Sequence, residues 1–128
     1  MWLISGGAYQ GKLEYVLTKK QISFDDIIDG ENCDFQDLLE KPLVTHFHLW
    51  VKRMLLEKKD VAALVDQIIQ ENQDIIIIVN ELGCGIVPID AFDREYRETT
   101  GRICCRLAKD ATEVHRVVCG IGMVIKHA

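Results

Sequence analysis

The chain has 128 residues, 48% of them hydrophobic, and a formal net charge of −5. This length allows one sizeable core, so we predict a single domain over residues 1–128. The negative charge argues against nucleic acid and membrane surfaces as partners. It leaves mononucleotides open, because a few amides and one lysine can hold a phosphate. Apolar runs such as residues 75–79 are far too short to span a membrane, and we expect a cytoplasmic protein.

Five cysteines are spread along the chain without a CxxC pair or a histidine at metal-ligand spacing. They are Cys33, Cys84, Cys104, Cys105 and Cys119. We interpret them as reduced thiols in core or partly buried positions.

The first elements predicted along the chain are a strand, a glycine turn and a helix. Residues 1–5 (MWLIS) form an apolar run before two glycines, which is typical of a buried strand entering a tight turn. Apolar residues then recur at helical spacing after Gly11. Residues 23–29 predict a short strand, and residues 35–39 predict one or two helical turns.

A helix is predicted over residues 46–56, where Phe47, Trp50 and Met54 form an apolar stripe. This stripe either belongs to the protein's own core or serves as a subunit interface. His46 and His48 stand at positions i and i+2, which places them on different faces of the predicted helix. We therefore expect surface or partner-contact roles for the two histidines and no joint catalytic or metal site.

The second half of the chain alternates helices and strands. A helix over residues 60–71 has Asp60 as its N-cap, and the β-branched run at residues 75–79 is typical of a central parallel strand. The remaining predicted elements are a glycine-rich loop (82–88), a long helix (90–110), a strand (114–119), a turn (120–122) and a terminal apolar run (123–125). This alternation predicts an α/β fold with a mainly parallel sheet.

A phosphate-loop pattern, GxxxxGK, follows the first predicted strand and precedes the first helix. Its nucleotide-binding candidates are Gly6, Gly7, Ala8, Tyr9, Gln10, Gly11, Lys12 and Leu13. In such a loop the backbone N–H groups wrap a phosphate, and Lys12 contacts the β- and γ-phosphates. The context favours a working phosphate loop over an incidental glycine turn. It predicts a P-loop NTPase-like three-layer sandwich that binds a nucleotide together with Mg²⁺.

Leu13 conflicts with catalysis, because the residue after the loop lysine is normally a Ser or Thr whose hydroxyl coordinates Mg²⁺. Leucine has no ligand atom, so binding is expected to survive more readily than turnover. The alternative is that Leu13 packs into the core while another group holds the metal.

Two carboxylates at the ends of predicted strands are the candidate magnesium ligands, acting through water. Glu81 follows the central strand at the carboxyl edge, where open α/β sheets bind ligands. With Lys12 it is also a candidate catalytic residue. Asp29 ends an earlier strand, where it is either a Walker-B-like acid or a solvated turn acid before Gly30.

The C-terminal half carries the most distinctive residues: VNELGCGIVP at 79–88, Gly101-Arg102 within the long helix, and Cys119-Gly120-Ile121-Gly122. With the Gly-Gly-Ala start of the phosphate loop, these segments resemble the adenosylcobinamide kinase/adenosylcobinamide-phosphate guanylyltransferase family of cobalamin biosynthesis. The resemblance covers residues 1–17 and 74–126, in the family's order.

The resemblance implies phosphorylation of adenosylcobinamide with ATP or GTP, followed by GMP transfer through a guanylylated histidine. It also implies a corrinoid substrate and a homo-oligomer. The chain departs from the family at Leu13, in a shorter middle without the histidine-bearing segment, and in the helix after Pro88, where the family's Asn is replaced. Neither His46 nor His48 aligns with the guanylylated histidine. Three functions stay open: an enzyme, a nucleotide-binding paralogue without turnover, and an assembly role.

Overall fold

The structure, a computed structural model, describes residues 1–8, 10–82 and 90–127. Its elements are β1 (Trp2–Gly6), α1 (Lys12–Lys19), a 3₁₀ turn (Phe24–Asp26), β2 (Ile27–Asp29), α2 (Phe35–Glu40), β3 (Leu43–Thr45), α3 (Phe47–Leu56), α4 (Val61–Glu71), β4 (Ile76–Asn80), α5 (Ala91–Asp110), β5 (Glu113–Val118) and β6 (Ile121–Lys126). The predicted alternation of strands and helices is confirmed. The predicted loop at 82–88 lies, from residue 83 on, outside the described residues.

Six strands form one sheet in the order β2-β3-β4-β1-β5-β6. The first five strands in this order run parallel, and β6 returns antiparallel to β5. Because β1, β3 and β4 run parallel, their carboxyl ends lie at the same edge of the sheet. The fold is the predicted α/β, P-loop NTPase-like arrangement with a mainly parallel sheet.

The two faces of the sheet bury separate cores, because successive side chains of a strand point to opposite sides. On one face Ile77 and Val79 pack with α3, α4 and α5. On the other face Ile76 and Ile78 pack with Val16 of α1. The result is three layers, with β4 buried on both sides.

The apolar stripe of α3 belongs to the first core. Phe47, Trp50 and Met54 are all buried, and the rings of Phe47 and Trp50 stack with centroids 5.0 Å apart. The interpretation of this stripe as a subunit interface is therefore wrong.

Three segments differ from the sequence prediction. Within the predicted strand at 23–29, Phe24–Asp26 form a 3₁₀ turn capped by Ser23, and only Ile27–Asp29 pair with the sheet. The strand β3 has no predicted counterpart, because three residues are too few to show a period. At the C-terminal end the turn falls at Cys119 and Gly120, both with positive φ, so the predicted turn at 120–122 is misplaced.

The four described cysteines are free thiols. Cys33 is buried and Cys104 is partly buried, whereas Cys105 and Cys119 are exposed. The prediction of core or partly buried positions is wrong for the two exposed residues, and Cys84 lies outside the described residues. Among the described helices, none is long and apolar enough to cross a membrane.

Candidate functional site

The loop between β1 and α1 rests against the turn between β5 and β6. The backbone N–H of Gly120 donates to the carbonyl of Gln10 at 2.8 Å, and that of Cys119 donates to Gln10 Oε1 at 2.6 Å. Gly11 caps α1 with φ 78°, a left-handed conformation that glycine adopts without strain. A Cβ at Gly11 would also approach Gly120 Cα to 3.3 Å. These contacts fix the end of the loop just before the helix begins, whereas Tyr9 lies outside the described residues.

Lys12 is the first residue of α1, and only 8% of it is exposed. Its Nζ donates to the carbonyl of Gly7 at 2.6 Å. Burial lowers the pKa of Lys12, and the nearby charge of Glu81 acts in the opposite direction. A cation beside the unpaired N–H groups of a helix N-terminus favours an anion at that position.

A cavity of about 410 Å³ opens beside Lys12 at the carboxyl edge of the sheet. It is lined by Ala8, Lys12, Leu13, Thr45, His46, His48, Leu49, Ile78 and Asn80. Thr45 and Asn80 are the last residues of β3 and β4. The cavity therefore lies where open α/β sheets bind ligands, with the predicted phosphate loop on its wall.

His48 lies on α3, is 5% exposed and lines this cavity. Its Nδ1 accepts the backbone N–H of Asn80 at 3.1 Å, so the neutral ring carries its proton on Nε2. Burial lowers the pKa of His48 to about 4; the charges of His46 and Lys12 act in the same direction, while Asp29 opposes them. His48 is therefore an uncharged donor near pH 7.

His46 precedes α3 in a left-handed conformation, with φ 52°. Its Nδ1 lies 3.1 Å from Asp29 Oδ1 and 3.4 Å from Thr45 Oγ1. The rings of His46 and His48 are 5.9 Å apart between centroids, in a T-shaped arrangement. The prediction that the two histidines lie on different helix faces is wrong, because His46 stands before the helix and both side chains line one cavity. The expected surface position is correct for His46 and wrong for the buried His48. Recognition of β3 would have placed His46 at the carboxyl edge of the sheet.

The two candidate metal-binding acids are not brought together. The carboxylate of Glu81 accepts two hydrogen bonds from Arg116, at 2.7 Å from Nε and 3.2 Å from Nη2. Asp29 accepts from His46 and, at 2.9 Å, from the backbone N–H of Glu31. Because β3 lies between β2 and β4, Asp29 at the end of β2 and Glu81 after β4 belong to strands roughly 10 Å apart. Neither carboxylate is part of the described cavity lining.

The described lining fits a protein-held Mg²⁺ ion poorly. Its oxygen donors are the hydroxyl of Thr45 and the amide of Asn80, without a carboxylate. Leu13 lines the cavity at the position of the usual hydroxyl ligand and packs against the core beneath α1. Within the described ranges, no group of three or more His, Cys, Asp and Glu side chains is arranged to hold a metal.

A parallel sheet whose first strand leads through a glycine loop to a buried lysine at a helix N-terminus defines a P-loop NTPase-like protein. A family model described as cobinamide kinase / cobinamide phosphate guanyltransferase matches residues 30–125. This range is well over half of the chain, so the chain belongs to that family, and the resemblance drawn from the motifs is confirmed. The matched range begins after the phosphate loop, whose assignment rests on its pattern and geometry.

Two curated relatives are similar to part of the chain. They are the bifunctional adenosylcobalamin biosynthesis protein CobU of Salmonella typhimurium, 46% identical over 52 residues, and that of Escherichia coli, 44% identical over 52 residues. Each alignment covers 41% of this chain and 29% of the relative. The similarity thus spans less than a third of each relative's length.

Proposed function

We propose that the chain binds ATP or GTP in the cavity beside Lys12 and transfers a phosphoryl group to a cobinamide-type corrinoid. The observation that carries this proposal is the largely buried side chain of Lys12 at the start of α1, on the wall of a cavity of about 410 Å³. This volume suits a bound small molecule or cofactor. The corrinoid acceptor comes from the family description, cobinamide kinase.

Binding follows from a few local contacts. A triphosphate placed at the N-terminus of α1 meets helix N–H groups and the positive end of the helix dipole. Lys12 supplies a positive charge on the cavity wall, and its largely buried side chain weakens the screening of its attraction to a phosphate. His48, kept uncharged by burial, offers a neutral donor on the same wall.

Magnesium enters this proposal as the metal complex of the nucleotide. Phosphate oxygens and water are normal ligands of Mg²⁺, which keeps several waters when bound. No carboxylate in the described lining competes for that role. Nucleotide affinity should therefore fall only in part when the metal is withdrawn.

A second candidate function is nucleotide binding without turnover. Leu13 favours it, because this side chain lines the cavity where catalytic phosphate loops carry a hydroxyl ligand for the metal. This candidate predicts binding equal to that of the first and no phosphorylated corrinoid.

Isothermal titration with ATP and GTP, with and without Mg²⁺, tests the site. Lys12→Ala should weaken binding about ten- to a hundredfold, since a hydrogen bond to a charged group contributes about 1.5–3 kcal/mol. Lys19→Ala, at the exposed end of the same helix, is the matched control and should bind like the wild type. Failure of the wild type to bind either nucleotide would overturn the proposal. Incubation with cobinamide and mass analysis of the product then separates the kinase from the second candidate.

A further inference from the structure

The ring of His46 forms a hydrogen bond to Asp29 through Nδ1, which leaves Nε2 as the nitrogen that can accept a proton. Its Nδ1 lies 3.1 Å from Asp29 Oδ1, and a carboxylate accepts hydrogen bonds, so the proton of the neutral ring lies on Nδ1. The lone pair is then on Nε2. Half of the His46 side chain is exposed, so a bound molecule can approach the ring.

His46 stands at the proposed nucleotide cavity. His46 lines the cavity together with Lys12, whereas Asp29 stands outside the described lining, on the edge strand β2. The neighbouring His48 has the opposite arrangement, because its Nδ1 is occupied by the N–H of Asn80 and its Nε2 carries the proton. The two histidines of one cavity thus offer one acceptor and one donor.

We propose that His46 is the general base that removes the proton from the acceptor hydroxyl during phosphoryl transfer, with Asp29 as its positioning residue. This role rests on the proposed nucleotide site. A histidine whose Nδ1–H is bound to a carboxylate is held in the tautomer and orientation that general base catalysis requires.

Phosphoryl transfer then requires only the acceptor hydroxyl, the bound nucleotide and His46. The acceptor oxygen forms a bond to the γ-phosphorus, and the bond from that phosphorus to the β–γ bridging oxygen breaks. The hydroxyl proton moves to Nε2 of His46, and the nucleoside diphosphate leaves. Asp29 stabilises the imidazolium that results.

The backbone of His46 decides which variants are informative. Because φ is 52°, His46→Asn is preferred over alanine, since asparagine tolerates the left-handed region. His46→Gly also fits this backbone and opens a gap that free imidazole can enter. Lys58→Gly is the matched control, because Lys58 has φ 56° and lies just beyond the C-terminal end of α3, away from His46 at its start.

Nucleotide affinity and the single-turnover rate of phosphoryl transfer to cobinamide are measured on each variant. With the nucleotide saturating, so that a change in affinity does not contribute, His46→Asn should lose about 10²–10⁴-fold in rate. Imidazole should restore part of the rate of His46→Gly and leave that of Lys58→Gly unchanged. Asp29→Asn should lower the rate without abolishing it. Long-range ¹H–¹⁵N NMR should show His46 protonated on Nδ1 in the wild type and lose this preference in Asp29→Asn.

The outcomes separate this inference from the proposed function. A wild type that binds no nucleotide overturns the function itself. Nucleotide binding without turnover, or an unchanged rate in His46→Asn, overturns the general base and leaves the nucleotide site standing. A phosphorylated or nucleotidylated His46 found by mass spectrometry overturns it as well, because Nε2 would then act as a nucleophile. An Nε2–H tautomer of His46 in the wild type overturns the role of Asp29.

Discussion

Gly122 lies against the ring of Tyr15, and the absence of a side chain at Gly122 leaves room for that ring. The hydroxyl of Tyr15 is 2.6 Å from Nδ1 of the buried His115, whose Nε2 is 2.9 Å from Glu113 Oε1. A Cβ on Gly122 would collide with the Tyr15 ring. Any side chain there displaces the tyrosine from its hydrogen bond to His115.

Gly122→Ala should therefore lower the free energy of unfolding by about 1–3 kcal/mol, the usual cost of overpacking. Gly101→Ala is the matched control, since a Cβ at this α5 position meets no atom within 4 Å. It should raise the free energy of unfolding by about 0.5–1 kcal/mol through helix propensity. Urea denaturation measures both, and an equal effect of the two substitutions would contradict the steric argument.

His48 should give the protein a specific acid sensitivity. Its pKa is lowered from 6.5 to about 4 in the folded chain, mainly by burial. Between these values the unfolded chain holds more protons at this residue, so its contribution to stability is complete above pH 6.5 and is lost as pH falls through 4. The loss reaches about 3 kcal/mol by the lower value.

His48→Asn isolates this contribution, because its amide oxygen can accept the N–H of Asn80 and does not titrate. Between pH 7 and pH 4, the free energy of unfolding should decrease in both proteins. The decrease should be about 3 kcal/mol smaller in the variant, because it lacks the titration of His48. Denaturation at a series of pH values provides the measurement. Parallel pH curves for the two proteins would show that His48 is not the group responsible.

Residues of the site differ in how far the sequence predicts them. Lys12 and the glycines before it form a local pattern, so spacing alone identifies them. His46 has no such pattern, and its left-handed backbone lies beside a contact between segments distant in sequence. The N–H of Gly30 donates to the carbonyl of Thr45 at 2.7 Å, and a Cβ on Gly30 would collide with the carbonyl of His46. The pairing of β2 with β3 thus shapes the site.

Among the contacts between secondary-structure elements, the side chain of Asn72 links the end of α4 to the segment that leads into β3. Its Nδ2 donates to the carbonyl of Leu38 at 2.9 Å and to that of Lys41 at 2.8 Å. Asn72→Ala should lower the free energy of unfolding by about 1–3 kcal/mol, because it leaves two carbonyls without this donor. The exposed neighbour Gln73→Ala is the control and should change it by less than about 0.5 kcal/mol. Equal denaturation midpoints for the two variants would remove Asn72 from this role.

The strands show why some elements are predictable and others are not. Consecutive β-branched residues identify β4, since a strand buried on both faces needs no alternation. The three residues of β3 carry no period of their own. They become a strand by pairing with β2 on one side and β4 on the other. Tertiary pairing, which a local window of sequence does not contain, therefore supplies this element.

For the whole molecule, the homo-oligomer implied by the family stays a prediction, as does the single domain. Most of the exposed large apolar side chains among the described residues lie on the edge strand β6, and the others are Phe24, Leu56 at the end of α3 and Val118. Ile121, Met123, Val124 and Ile125 are each about half or more exposed on β6. Light scattering on the purified chain would measure the assembly state, and a monomer at all concentrations would contradict the expected oligomer.

Nucleotide binding should stabilise the whole molecule, because the cavity joins the β1–α1 loop, the ends of β3 and β4, and the start of α3. At a nucleotide concentration about 100 times the dissociation constant, the free energy of unfolding should rise by about 2.7 kcal/mol. Lys12→Ala should reduce this gain to about 0.4–1.4 kcal/mol at the same concentration, given its expected loss of affinity. Withdrawal of Mg²⁺ should reduce this stabilisation without abolishing it. Leu13 and the other residues of the described lining offer no carboxylate or hydroxyl at the usual ligand position, so the phosphates of the nucleotide coordinate the metal. Thermal unfolding with ATP or GTP, in Mg²⁺ and then in EDTA, measures both effects. A gain that disappears completely in EDTA would instead show that a protein ligand outside the described lining holds the metal.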